Sequence, residues 1–97
     1  ESLVRLSREL DIPIAGAESI AGGAMLTASY LSSGALDIVR ADVSWRGGIT
    51  STLEVARLAK AHDVPCELHT TIYHPLELAN LQCALAISNT TYVEVLY

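Results

Sequence analysis

Four ionisable residues, Glu18, Asp42, His69 and Glu94, fall 24, 27 and 25 positions apart in a chain of 97, each at or near the end of an apolar run. That interval is the length of one strand plus one helix with short connections. A series of such units places successive strands parallel, because a parallel strand can be reached only through a crossover. Residues at strand ends lie in the loops that a rigid scaffold holds open to ligand. The order of elements follows from local signals. Leu3, Leu6 and Leu10 share one helical face over Ser2 to Leu10. Pro13 opens a strand that runs to Ala17. Ala24 to Ser32 reads as a helix that Gly34 can end as a left-handed cap. Asp37 to Ala41 is the second strand, and Ser51-Thr52-Leu53-Glu54 reads as a capping box for a helix to about Ala61. Pro65 opens a third strand, Pro75 suits the first turn of a helix over roughly Leu76 to Ile87, and Tyr92 to Leu96 is a fourth strand.

The result is αβαβαβαβ, an α/β chain with parallel strands. Without clean polar alternation, these strands fit a sheet covered on both faces. Four such units are half of a (β/α)8 barrel, whose usual length is roughly 250 residues. A small open flavodoxin-like sheet is the rival, but it gives no reason for an acidic or imidazole group at every strand end. Composition points the same way. Hydrophobic residues make up 51% and charged residues only 18%, lean for a small domain that must cover its own surface. Residues 1–97 are therefore expected to be one domain piece of a larger body, with an edge covered by strands outside it. A complete small domain with an apolar oligomer interface is the alternative.

A net charge of −5 with six scattered Lys and Arg argues against nucleic acid. No apolar stretch is long enough to span a membrane, and no signal peptide is recognisable. Cys66 and Cys83 read as core thiols of a cytoplasmic protein.

Alternation along a strand puts Ile38, Arg40 and Asp42 on one face, and Glu67 and His69 on one face of the next strand. If those faces line the barrel interior, Asp42 and His69 meet at neighbouring strand ends. A carboxylate orients an imidazole and raises its basicity, giving a general base or acid. A satisfied core histidine is the structural alternative. Arg40 and Glu67, two residues before the dyad members, are expected to form a buried ion pair beneath them, since either charge alone would be costly. His62 reads as a helix-terminal cation, and His74 as a loop residue able to touch substrate. Gly47-Gly48 reads either as a tight strand-to-helix turn or as a phosphate cradle.

Taken together, Pro-Ile-Ala-Gly-Ala-Glu (13–18), Asp-x-x-x-x-Gly-Gly-Ile-Thr (42–50), Val-Pro-x-x-x-His (64–69) and Val-Glu (93–94) resemble the enolase superfamily. The nearest subgroup is the one named for mandelate racemase, and the match covers the second half of its barrel. The resemblance implies Mg²⁺-dependent abstraction of the α-proton of a hydroxylated carboxylate through an enediolate, a chemistry for which this superfamily is a standing example. It implies Glu18 as a magnesium ligand, His69 as base or acid, Asp42 as its partner, and Glu94 as a hydrogen-bonding group at the substrate carboxylate. Burial is expected to keep Glu94 neutral in that role. Arg46 and His74 are the further substrate-contact candidates; members commonly carry a basic residue where this chain has Trp45, one place before Arg46. The lone lysine, Lys60, lies in a helix pattern away from strand ends, which disfavours the muconate-cycloisomerase branch. The expected activity is acid-sugar dehydration, with a racemase or epimerase of the same family, or a non-catalytic barrel, as alternatives. The remaining metal ligands, an opposing lysine base and a capping domain are expected outside residues 1–97, and a homo-oligomer is expected.

Overall fold

The computed structural model of the chain describes residues 2–20, 22–70 and 74–95. Its elements run α1 (Ser2–Glu9), β1 (Ala15–Gly16), α2 (Gly23–Ser32), β2 (Ile38–Ala41), α3 (Gly48–Ala61), β3 (Cys66–Leu68) and α4 (Pro75–Ala86). The strands form one parallel sheet in the order β1-β2-β3. Strand order equals chain order, as in a stretch of barrel wall with helices packed outside it.

The core lies between the sheet and α3. Val39 and Ala41 of β2, Cys66 of β3, and Val55, Ala56 and Ala59 of α3 are all fully buried. Alternate positions of β2, Ile38 and Arg40, are only partly covered and line the opposite face with Ala15 and Glu67. This is the alternation expected of a barrel wall. Cys66 and Cys83 are buried free thiols, and burial together with the nearby Glu67 charge pushes the Cys66 thiol up to about 12, so it packs as a neutral group.

Helix ends follow backbone chemistry. Gly34, at φ 65°, closes α2: its N–H donates to Leu31 O (3.0 Å) and the Ala35 N–H to Tyr30 O (3.0 Å), the paired bonds of a Schellman motif. The end of α3 repeats that pattern with an unusual residue. Asp63 takes the left-handed position at φ 59°, its N–H reaching Lys60 O and the Val64 N–H reaching Ala59 O. His62 is the exposed C-cap before it.

Two expectations, the capping box and the fourth strand, are corrected. The α3 capping box does not form, because the helix begins at Gly48 and Ser51 lies within it. Hydrogen bonds from Arg46 N–H to Asp42 O and from Gly48 N–H to Val43 O carry the chain from β2 into the helix in a single turn. Gly47 and Gly48 supply the positive φ values (81° and 91°) that this turn requires. The apolar stripe of α1 buries no residue among those described; the helix is held instead through Ser7 and Asp37, whose carboxylate also accepts the Ile14 N–H at 2.8 Å. Among the described residues, the fourth strand is reduced to a single parallel bridge between Leu68 and Val93. The reason is competition for donors: the Thr91 and Tyr92 N–H groups bond the Glu67 carboxylate instead of a ladder. Leu96, the expected end of that strand, lies outside the described residues. Leu78 and Val95, which line a cavity with the bridge residues Leu68 and Val93, are more than half exposed. Among the described residues no helix is long and apolar enough to cross a membrane.

A carboxylate at the negative end of a helix, on a residue forced into the left-handed region, is doubly unfavourable. Asp63→Gly is expected to stabilise the fold by about 0.5–1 kcal/mol, read as a higher urea midpoint with an unchanged slope. An unchanged or lower midpoint would show that the cap is not strained.

Candidate active site

Parallel register sets the site. Val39 pairs with Cys66, Arg40 with Glu67 and Ala41 with Leu68, so the residues just past the two strands emerge side by side. The His69 N–H donates to Ala41 O at 2.7 Å, continuing the ladder one step beyond the strands. His69 Nδ1 then stands 3.1 Å from Asp42 Oδ2. The Asp42 side chain is wholly buried and the His69 side chain is 24% exposed, so the pair has a closed side and an open one. The two residues expected to meet do meet.

A buried carboxylate must be hydrogen-bonded or it costs several kcal/mol. Asp42 Oδ1 accepts the Ser44 N–H (2.6 Å) and Asn80 Nδ2 (3.3 Å). Asn80, buried on α4, also accepts the Val43 N–H at Oδ1 (2.9 Å) and donates to His69 O (3.2 Å). Sequence reasoning missed Asn80. The available signal was an amide flanked by Ala79 and Leu81 in a largely apolar helix, since a buried polar side chain implies partners.

The other candidates distribute differently. Glu94 accepts the Thr70 N–H at 3.0 Å and pairs with Arg40 Nη2 at 2.5 Å. The Thr70 N–H holds the Glu94 carboxyl below its usual range, burial opposes this, and Arg40 reinforces it. The neutral form expected for Glu94 is therefore corrected to an ionised one. The expected Arg40–Glu67 pair is corrected as well, although the two residues are register neighbours on the inner face. Glu67 is met by the Thr90 and Thr91 hydroxyls and by the Thr91 and Tyr92 N–H groups. Burial pushes its carboxyl up, but these donors prevail and leave it lowered.

Arg46 is buried rather than open to substrate. Its guanidinium donates to Ile20 O (2.5 Å), Gly23 O (3.3 Å) and the Thr27 hydroxyl, pinning the loop after β1. Burial lowers its pKa, while Cys66 and Glu18 act in the opposite sense. His74 is the N-cap of α4, and its Nδ1 accepts the Leu76 N–H at 3.0 Å. Glu18 is half-buried in the turn after β1. Mg²⁺ takes about six oxygen ligands, and among the described residues no group of three or more His, Cys, Asp or Glu could hold a metal ion. These residues do not by themselves fit the ion, and no catalytic step is derived through it.

A parallel, sequentially ordered sheet with polar groups at its carboxyl ends defines a piece of a (β/α)8 barrel. The chain belongs to the enolase C-terminal domain-like family, which it matches over residues 1–97. It is similar to arabinonate dehydratase of Saccharolobus solfataricus, 33% identical over 94% of this chain and 24% of that protein. It is also similar to D-galactonate dehydratase of Ralstonia nicotianae, 35% identical over 81% of this chain and 20% of that one. Among solved structures, D-glucarate dehydratase from Agrobacterium tumefaciens, complexed with magnesium, superimposes with a TM-score of 0.86 at 37% identity over 99% of this chain and 24% of that one. A putative mandelate racemase/muconate lactonizing enzyme from Pseudovibrio sp. gives 0.92 at 28% identity, over 99% of this chain and 26% of that one. The chain thus spans about a quarter of the length of the relatives it matches.

Glu67→Gln exchanges one acceptor oxygen for an amide facing donors. It is expected to destabilise the fold by about 1–3 kcal/mol in urea unfolding at pH 7. Because the folded-state pKa of Glu67 is depressed, its contribution is present above the unfolded value of about 4.3 and is lost as pH falls below it. The gap between wild type and variant should therefore close in acid; a gap constant with pH would contradict the ionised assignment.

Proposed function

We propose that this chain contributes the histidine acid–base centre of an enzyme that removes the α-proton of a hydroxylated carboxylate through an enediolate, acting as an acid-sugar dehydratase. The carrying observation is the Asp42–His69 contact at 3.1 Å, buried on the aspartate side and open on the histidine side. With Nδ1–H donated to Asp42, the Nε2 atom is the one that exchanges a proton with substrate. The aspartate fixes the ring and supports the imidazolium form that follows proton uptake. The same nitrogen, once protonated, can deliver its proton to a departing β-hydroxyl. Support for dehydration over racemisation comes from the three acid-sugar dehydratases at 33–37% identity. A racemase or epimerase with the same residues is the second reading, favoured by the 28% identity to a putative racemase from Roseobacter denitrificans at a TM-score of 0.89.

Magnesium belongs to this reading as a cofactor to which Glu18 lends one oxygen, the other ligands coming from elsewhere in a longer polypeptide. Glu94 enters as a carboxylate locked to Arg40. A substrate carboxylate approaching this corner would meet the pair, not a lone negative charge.

The test uses the full-length protein with pentonates and hexonates in D2O. His69→Asn and Asp42→Asn are each expected to lower turnover roughly 10²–10⁴-fold, with loss of water and α-deuterium exchange followed by NMR. Undiminished exchange in His69→Asn would remove the histidine from the reaction. Exchange without loss of water in the wild type would turn the reading to the racemase.

A further inference from the structure

We infer that Asn80 is a positioning residue that fixes the orientation of the Asp42 carboxylate and, through it, of the His69 ring. This inference rests on the acid–base reading of the dyad. Asn80 approaches from α4 and is 3% exposed, so it acts through Asp42 and not on substrate. Its amide can face only one way. Oδ1 takes the Val43 N–H at 2.9 Å, and Nδ2 gives to His69 O at 3.2 Å. Flipping the group would set N–H against N–H and oxygen against oxygen. Two backbone groups thus guarantee that the face turned to Asp42 Oδ1 is a donor, at 3.3 Å.

That donor and the Ser44 N–H, at 2.6 Å, hold the same carboxylate oxygen. With Oδ1 pinned from two directions, the carboxylate plane is set and Oδ2 lies 3.1 Å from His69 Nδ1. One side chain on α4 therefore joins the end of β2 at Val43, the end of β3 at His69, and the carboxylate between them. Helix position is thereby coupled to the alignment of the proton-transfer group.

Asn80→Asp in the full-length enzyme isolates the donor. It keeps the shape and the acceptor for Val43, but it turns an oxygen toward Asp42 and His69 O. The expected result at neutral pH is a kcat lowered about 10- to 100-fold, the usual effect of losing an outer-shell partner, with KM within about twofold. Relative to wild type, activity should recover as pH falls, because the introduced carboxyl regains a proton to donate; its ionisable neighbours are Asp42 and His69, which Asn80 bonds, and Glu77 and Glu94, which line the same cavity. Asn80→Leu should show the deficit without the recovery. Wild-type kcat in Asn80→Asp at every pH, a deficit confined to KM, or equal pH-independent deficits in both variants would overturn the inference. Should Asn80→Asp fail to fold, Asn80→Ser, which retains a hydroxyl donor, is expected to lower kcat less than Asn80→Leu at unchanged KM, and identical losses would overturn the role. A crystal structure of the Asn80→Asp enzyme keeps this separate from the functional reading. If wild type acts on no hydroxy acid, the proposed function fails, and positioning is then judged by whether the Asp42–His69 hydrogen bond lengthens beyond 3.5 Å in the variant.

Discussion

Asp42 is a carboxylate removed from water at the end of the central strand, and the geometry around it follows from the need to satisfy that charge. Desolvating such a group without donors would cost more than most single interactions can return. Among the described residues, donors reach it from the next turn of chain (Ser44), the neighbouring strand end (His69) and a helix 38 residues on (Asn80). Each requires a piece of the fold to be in register. The parallel pairing of β2 with β3 brings in the histidine, the glycine turn from β2 into α3 brings in the Ser44 amide, and the packing of α4 brings in the asparagine. The dyad is therefore a consequence of the same contacts that assemble the sheet edge.

The two other inner-face carboxylates show how hydrogen-bond supply overrides charge pairing. Arg40 and Glu67 are register partners, and simple charge matching joins them. Glu67 instead collects two backbone N–H groups and two hydroxyls from the segment that follows α4. Four short fixed donors satisfy a buried carboxylate better than one long flexible cation can. Arg40 is left for Glu94, which the same segment delivers. Glu67 thereby sets two things at once: it draws residues 90–92 off the ladder, so the fourth strand shrinks to a bridge, and it commits Arg40 to the mouth of the site.

What was legible in the sequence is what repeats. The strand-helix period located every element to within a few residues, and alternation along β2 and β3 brought Asp42 and His69 together before any coordinates. What was illegible depends on single backbone groups. Whether Ser51 caps a helix is decided by a turn closed from Asp42 and Val43, and no local pattern reports that. Arg46 reads as an available cation because nothing in its neighbourhood reveals the Ile20 and Gly23 carbonyls that absorb it. Asn80 was visible as an anomaly, an amide among Leu78, Ala79 and Leu81, but its partners lie 11 and 38 positions away in sequence. Its role could not be assigned without the helix in place.

The number of proton-transfer centres bears on which reaction the arrangement favours. Racemisation exchanges a proton between opposite faces of a planar enediolate, so it calls for two groups facing each other across the substrate. Elimination needs a base for the α-proton and an acid for the β-hydroxyl, and a single imidazole can serve in sequence when both leave from the same face. Among the described residues, His69 is the strand-end imidazole tied to a buried carboxylate. Lys60 is exposed on α3 and donates to Ser88 at 2.7 Å, which keeps it from the role of an opposing base. His74 already uses Nδ1 to cap α4. One oriented histidine can serve both steps of a syn elimination in turn, whereas racemisation needs a second centre facing it, and the described residues make up only about a quarter of the relatives in which such a centre would be sought.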